Sequence, residues 1–192
     1  MYLTLVGKAT YIWHIDFEEY SLKDTTRKGE VEIEGGIKLP GAANMQFMAY
    51  NCSLEERATE LTERCERLPD RTKFSKRRRN FADFDYTISN GPISVAKEAV
   101  EKWWNQKPKW QELQNISEND YSAIPFFLMA QAEIDQIGCS VSLCKKDGES
   151  SYYTVGCVYG KRVKSDSELY QKGPACSTCE KNCYKNVLCK KP

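Results

Sequence analysis

Four cysteines, Cys176, Cys179, Cys183 and Cys189, crowd the last 17 residues of this 192-residue chain, and they restrict its folding more than any other feature. Beyond Tyr184, Val187 and Leu188 the tail has few apolar side chains, so it cannot bury a core of its own and needs covalent help. One form of help is a four-thiolate zinc site, built from two C-x-x-C pairs and a longer loop. Only Cys176–Cys179 has that spacing, and the gap that follows is too short for a knuckle to fold back. The spacing therefore favours two disulfides, which place the chain in an oxidising compartment.

Five further cysteines, Cys52, Cys65, Cys139, Cys144 and Cys157, bring the total to nine. An odd number cannot pair within one chain, so at least one thiol is free, intermolecular or missing its partner. Two N-glycosylation triplets, at Asn51 and Asn115, also suit a secreted, extracellular glycoprotein. The start, Met1 to Gly7, has no basic residue and is too short for a signal core, as expected of a mature chain or one whose start has been replaced.

Composition excludes several classes. Lys+Arg total 28 against 27 Asp+Glu, a net charge of +1 that argues against a nucleic-acid binder. A hydrophobic fraction of 41% is too high for a disordered chain. No apolar run approaches the roughly 18 residues of a membrane-spanning helix.

Along the chain, residues 11–28 read as a helix with a loose apolar face of Ile12, Ile15, Tyr20 and Leu22. Ser53 and Glu56 form a capping box that opens a helix to about Cys65, with Leu54, Ala58, Leu61 and Cys65 on one face. Another helix opens at Ser94 and runs to about Asn105, burying Val95, Ala99 and Trp103. Trp104 then points outward or under a neighbouring loop, because adjacent helical residues cannot share a face. Residues 109–124 read as loop with a short helix. Residues 137–144 alternate as a strand, Asp147-Gly148 turns, and residues 152–159 return. Helices followed by a hairpin suggest a mixed α/β domain on a small antiparallel sheet.

Several of these segments together resemble a known family. Ala42-Ala43-Asn44-Met45, Tyr50-Asn51-Cys52, Ala99–Trp104, Ile137-Gly138-Cys139, Cys157-Val158-Tyr159 and Gly173–Cys179 are similar, in this order, to motifs of the CAP proteins (cysteine-rich secretory, antigen-five and pathogenesis-related), in the Ancylostoma-secreted-protein branch of nematodes. The resemblance implies a three-layer α-β-α sandwich over residues 1–165 and a disulfide-rich C-terminal hinge over 166–192. It implies bridges Cys139–Cys157, Cys176–Cys183, Cys179–Cys189 and Cys65–Cys144. Related chains carry an extra cysteine before the first helix, which this chain lacks, so Cys52 is the thiol expected to be unpaired.

Typical members hold a divalent metal between two histidines and two acidic residues. Here the family's histidine positions fall at Glu19 and Pro125, and the chain's only histidine is His14. Proline cannot ligate a metal, and one histidine builds no Ser-His-Asp or Cys-His arrangement. The expectation is no catalytic residue, no metal and no cofactor. Asp83 and Asp85 could serve acid/base chemistry, but a solvated loop is the simpler reading.

Surfaces then carry the function. The basic run Arg71, Lys73, Lys76, Arg77, Arg78 and Arg79 is either a solvated loop or an attachment site for a glycosaminoglycan or acidic receptor patch. Asp147, Gly148 and Glu149 form either a plain turn or a projecting tip whose carboxylate reaches the metal ion of an integrin. The family branch includes blockers of platelet or leukocyte integrins, so the resemblance implies a non-enzymatic secreted effector that binds a host cell-surface receptor and inhibits adhesion. Lipid or sterol carriage is the alternative, since apolar grooves between helices suit such ligands.

Overall fold

The computed structural model of the chain describes residues 3–4, 32–33, 36–67, 78–107, 122–145, 148, 150–164 and 166–190. The expected helix over 11–28 with His14 and Glu19, the basic run over 71–77, Asn115, Asp147 and Glu149 lie outside them.

The hairpin of residues 137–159 is the centre of the molecule. Strand β6 (Gln136–Cys144) pairs antiparallel with β7 (Tyr152–Tyr159) from Ile137↔Tyr159 to Cys144↔Tyr152. On the far side of β7 lies β5 (Arg79–Asp85), from Arg79↔Val158 to Asp85↔Tyr152. The other edge of β6 takes β1 (Leu3–Thr4) antiparallel at one end and β4 (Ala49–Tyr50) parallel at the other. Two small ladders stand apart: β2 (Glu32–Ile33) with β3 (Ile37–Lys38), and β8 (Cys183–Tyr184) with β9 (Leu188–Cys189).

Strand periodicity assigns the faces. Gly138, Ser140, Ser142, Thr154 and Gly156 share one face, small or hydroxyl-bearing. Ile137, Cys139, Val141, Tyr153, Val155, Cys157 and Tyr159 share the other. Helix α1 (Cys52–Thr62) lies on the first face, with Leu54 and Ala58 against Val158 and the Thr62 hydroxyl 2.8 Å from that of Ser142. Helices α2 (Pro92–Trp104) and α3 (Ile124–Ala130) lie on the apolar face and close the main core. The layers are therefore helix, sheet, helix: an α-β-α sandwich.

Three local expectations change. Helix α1 is capped by Asn51, not Ser53: extended Asn51 accepts hydrogen bonds at Oδ1 from the Ser53 N–H (2.9 Å) and the Leu54 N–H (3.3 Å), because asparagine caps as well as serine and sits where the chain enters the helix. The helix stops at Thr62, so Cys65 lies beyond it at φ 50°. Helix α2 begins at Pro92, a residue suited to the first helical position, while the Ser94 hydroxyl folds back on both Gly91 N (3.0 Å) and Gly91 O (2.9 Å). Beyond the segment 109–124 that reads as loop with a short helix, residues 124–130 form a helix in which every residue is buried.

Trp103 and Trp104 are both inside. Trp103 is 1% exposed and its indole N–H donates to the Phe81 carbonyl of edge strand β5 at 3.1 Å. Trp104 turns under α3, its ring 5.0 Å from that of Phe126. Four disulfides join Cys65–Cys144, Cys139–Cys157, Cys176–Cys183 and Cys179–Cys189. Cys139 and Cys157 are directly opposed on β6 and β7, where neighbouring strands bring Cα atoms within bridging range. The tail cysteines are thus committed to bridges and are not zinc ligands. The tail is stitched to residues 41–47 by Gly173 N–H to Gly41 O, Phe47 N–H to Cys189 O and Cys189 N–H to Met45 O, and Leu188 enters the core.

Candidate functional site

Pro125 stands at the start of α3, buried, with its carbonyl accepting a 3.2 Å hydrogen bond from Asn80 Nδ2. The same amide nitrogen donates to Tyr159 Oη at 3.0 Å. Asn80 and Tyr159 are both fully enclosed, and burial pushes the Tyr159 phenol far above its ordinary range against the opposing effect of the Asn80 hydrogen bond. The residues here are a proline, an amide and a neutral phenol, so this position does not fit a divalent metal and offers no proton near neutral pH. Among the described residues no group of three or more His, Cys, Asp or Glu is close enough to hold a metal.

Asp83 and Asp85 do not form an acid/base pair. Asp83 Oδ1 accepts from the Thr154 hydroxyl at 2.8 Å. Asp85 is exposed and paired with Arg67 at 2.5 Å, and that contact raises the guanidinium pKa. The Arg67 guanidinium also lies 4.2 Å from the Tyr152 ring centre, so the pair fastens the end of β5 to the hairpin.

Of the basic run, only Arg78 and Arg79 fall within the described residues. Arg78 points its guanidinium into the fold, donating to the carbonyls of Tyr159 (3.3 Å) and Gly160 (2.5 Å). Arg79 is half-buried, and desolvation followed by repulsion from Arg64 lowers its pKa. Gly148 occupies the hairpin turn at φ 78°, a conformation glycine adopts freely, and open space surrounds it. The Asn51 amide, besides capping α1, donates to Gln136 Oε1 at 3.3 Å. Cys52 is exposed and free.

Sequence reasoning missed the loop beside the hairpin. Tyr86 N–H donates to Ser151 O at 3.0 Å, which ties the loop between β5 and α2 to the hairpin. The Asn90 side chain then locks the loop, accepting from Thr87 N–H and donating to Asp85 O, both at 2.9 Å. At its tip Ile88 is 98% exposed, with Tyr86 at 45%. The loop thus presents an uncovered isoleucine on backbone held by three hydrogen bonds, and apolar surface ordered in advance loses less entropy when it docks. No sequence periodicity marks it, because one isoleucine among turn residues carries no pattern.

Comparison with known proteins supplies the context. The model of the cysteine-rich secretory protein family, CAP, matches residues 27–159. Hookworm platelet inhibitor 1 of Ancylostoma caninum is 27% identical over 164 residues, covering 82% of this chain and 75% of its own. Among solved structures, NaASP2 with Zn2+ superposes at a TM-score of 0.68 and 24% identity, covering 88% of this chain and 89% of that one. The crystal structure of hookworm platelet inhibitor superposes at 0.64 and 22% identity, covering 94% and 90%.

Proposed function

This chain belongs to the cysteine-rich secretory protein family, and from that membership we propose that it is a secreted, non-enzymatic effector that binds a host cell-surface receptor and blocks adhesion, most concretely an integrin on platelets or leukocytes. Members of the family are generally effector or binding proteins without catalysis. The observation that carries the reading is the similarity to hookworm platelet inhibitor 1 over most of the chain. Pro125 and its bond to Asn80, where the family places a metal-binding histidine, support a role without catalysis. The residues proposed to face the receptor are Asp147, Gly148 and Glu149, together with Ile88 on the loop that the Tyr86–Ser151 backbone bond ties to the start of β7. A turn carboxylate would complete the integrin's metal coordination, and Ile88 would fill an apolar recess next to it.

Platelet adhesion to immobilised fibrinogen or collagen tests this. The purified protein is expected to inhibit adhesion, D147N/E149Q to lose most of that inhibition, and I88S to lose about tenfold in potency. No inhibition at micromolar concentration removes the integrin reading.

A further inference from the structure

The hinge presents a second, chemically different surface. The β8–β9 hairpin closes through a turn in which Val187 N–H donates to Tyr184 O at 3.0 Å. Its central residues, Lys185 and Asn186, sit at φ 49° and 58°, the left-handed pair of a type I′ turn. Such turns prefer Asn or Gly at both positions, so a lysine at the first carries a conformational cost that the fold does not need. Backbone held there against preference is a reason to look for function.

What that turn assembles is a cationic platform. The rings of Phe47 and Tyr184 lie 5.0 Å apart, tilted by 60°. The Lys185 ammonium is 5.3 Å from the Tyr184 ring centre. The Lys190 ammonium is 5.4 Å from the same ring and 5.9 Å from that of Phe47. Both lysines are exposed, and among the described residues neither has an acidic partner. Two positive charges are thus gathered at one ring with no protein anion between them. The platform is held in advance by Cys176–Cys183, Cys179–Cys189 and the backbone bonds from Met45 and Phe47 to Cys189.

We propose that this corner of the hinge binds a sulfated glycosaminoglycan chain, with a sugar ring across Phe47 and Tyr184 and its sulfates on Lys185 and Lys190. The aromatic faces suit the C–H face of a sugar, and lysine ammoniums suit sulfates as compact point charges. An anionic membrane would instead want an aliphatic residue to insert. The large exposed apolar side chains among the described residues are Ile37, Tyr86, Ile88 and Ile93, none of them on the hinge. The inference goes beyond the receptor reading and does not rest on it, since it is measured without cells.

Binding of the full chain to immobilised heparin by surface plasmon resonance tests the proposal, with hyaluronan and phosphatidylserine vesicles as comparators. The wild type is expected to bind heparin, more weakly as salt rises, and to ignore both comparators. K185Q/K190Q is expected to lose tenfold or more, K185R/K190R to stay within threefold of wild type, and Y184L to lose severalfold with its charge unchanged. Neutralising Arg71, Lys73 and Lys76 to glutamine is expected to leave binding within twofold. The proposal is overturned if K185Q/K190Q binds as wild type, if the glutamine variants of the basic run abolish binding, or if hyaluronan or vesicles bind as well as heparin.

Discussion

Gly138 decides how closely the first helix can approach the sheet. A Cβ added there would fall 2.1 Å from Glu55 N, 2.5 Å from Leu54 C and 2.7 Å from Asn51 O, all backbone atoms that cannot rotate aside. Gly138→Ala is therefore expected to lift the start of α1 and cost about 2–3 kcal/mol, read from the urea midpoint at unchanged m-value. Tyr170 gives the residue scale a pH signature. Its hydroxyl donates to Pro40 O at 2.7 Å, and burial pushes its pKa up to about 12. The folded state keeps the proton that the unfolded chain releases near pH 10. This stability is complete below about pH 10 and is lost as pH rises towards 12, and Tyr170→Phe is expected to flatten that part of the stability–pH curve. Neither residue was legible beforehand: Gly138 reads as part of a motif and Tyr170 as one more aromatic, and only the packing reveals what each one touches.

At the scale of elements, the hairpin was the most readable part, because residues 137–144 and 152–159 carry period-two patterning around an Asp-Gly turn. The pattern did not separate the two faces, since both are buried, one under α1 and the other under α2 and α3. The α1 cap was misplaced by two residues because Asn51 and Ser53 are equally good capping types, and only the extended backbone at Asn51 chooses between them. Helix α3 escaped detection because Ile124-Pro-Phe-Phe-Leu-Met-Ala130 is apolar all round and has no amphipathic period. Cys65–Cys144 spans 79 residues and joins the end of α1 to the end of β6. Cys65→Ser with Cys144→Ser is expected to cost about 4 kcal/mol by releasing that loop in the unfolded chain, measured by denaturant titration against wild type.

At the scale of the molecule, the sandwich and the hinge were foreseeable from motifs in order, whereas the surfaces were not. The loop at Ile88 and the lysines at Tyr184 depend on which distant segments meet, as when Phe47 from before α1 reaches Tyr184 in the tail. The disulfide pairing has a consequence for the chain's survival once a protease has nicked it. Cys65–Cys144 and Cys139–Cys157 overlap, so any single cut between residues 65 and 157 leaves one covalent molecule. The hinge bridges do the same between 176 and 189. No bridge crosses from 158 to 175, a connector that carries Lys161, Arg162, Lys164 and Lys172 as trypsin sites. Limited trypsin digestion is expected to release the hinge as a small fragment on a non-reducing denaturing gel, while cuts elsewhere in the bridged body show only after reduction. A body that splits without reductant would contradict this. The chain is thus two covalent islands joined by one severable connector, and cutting it parts Tyr184, Lys185 and Lys190 of the sulfate-binding corner from Phe47.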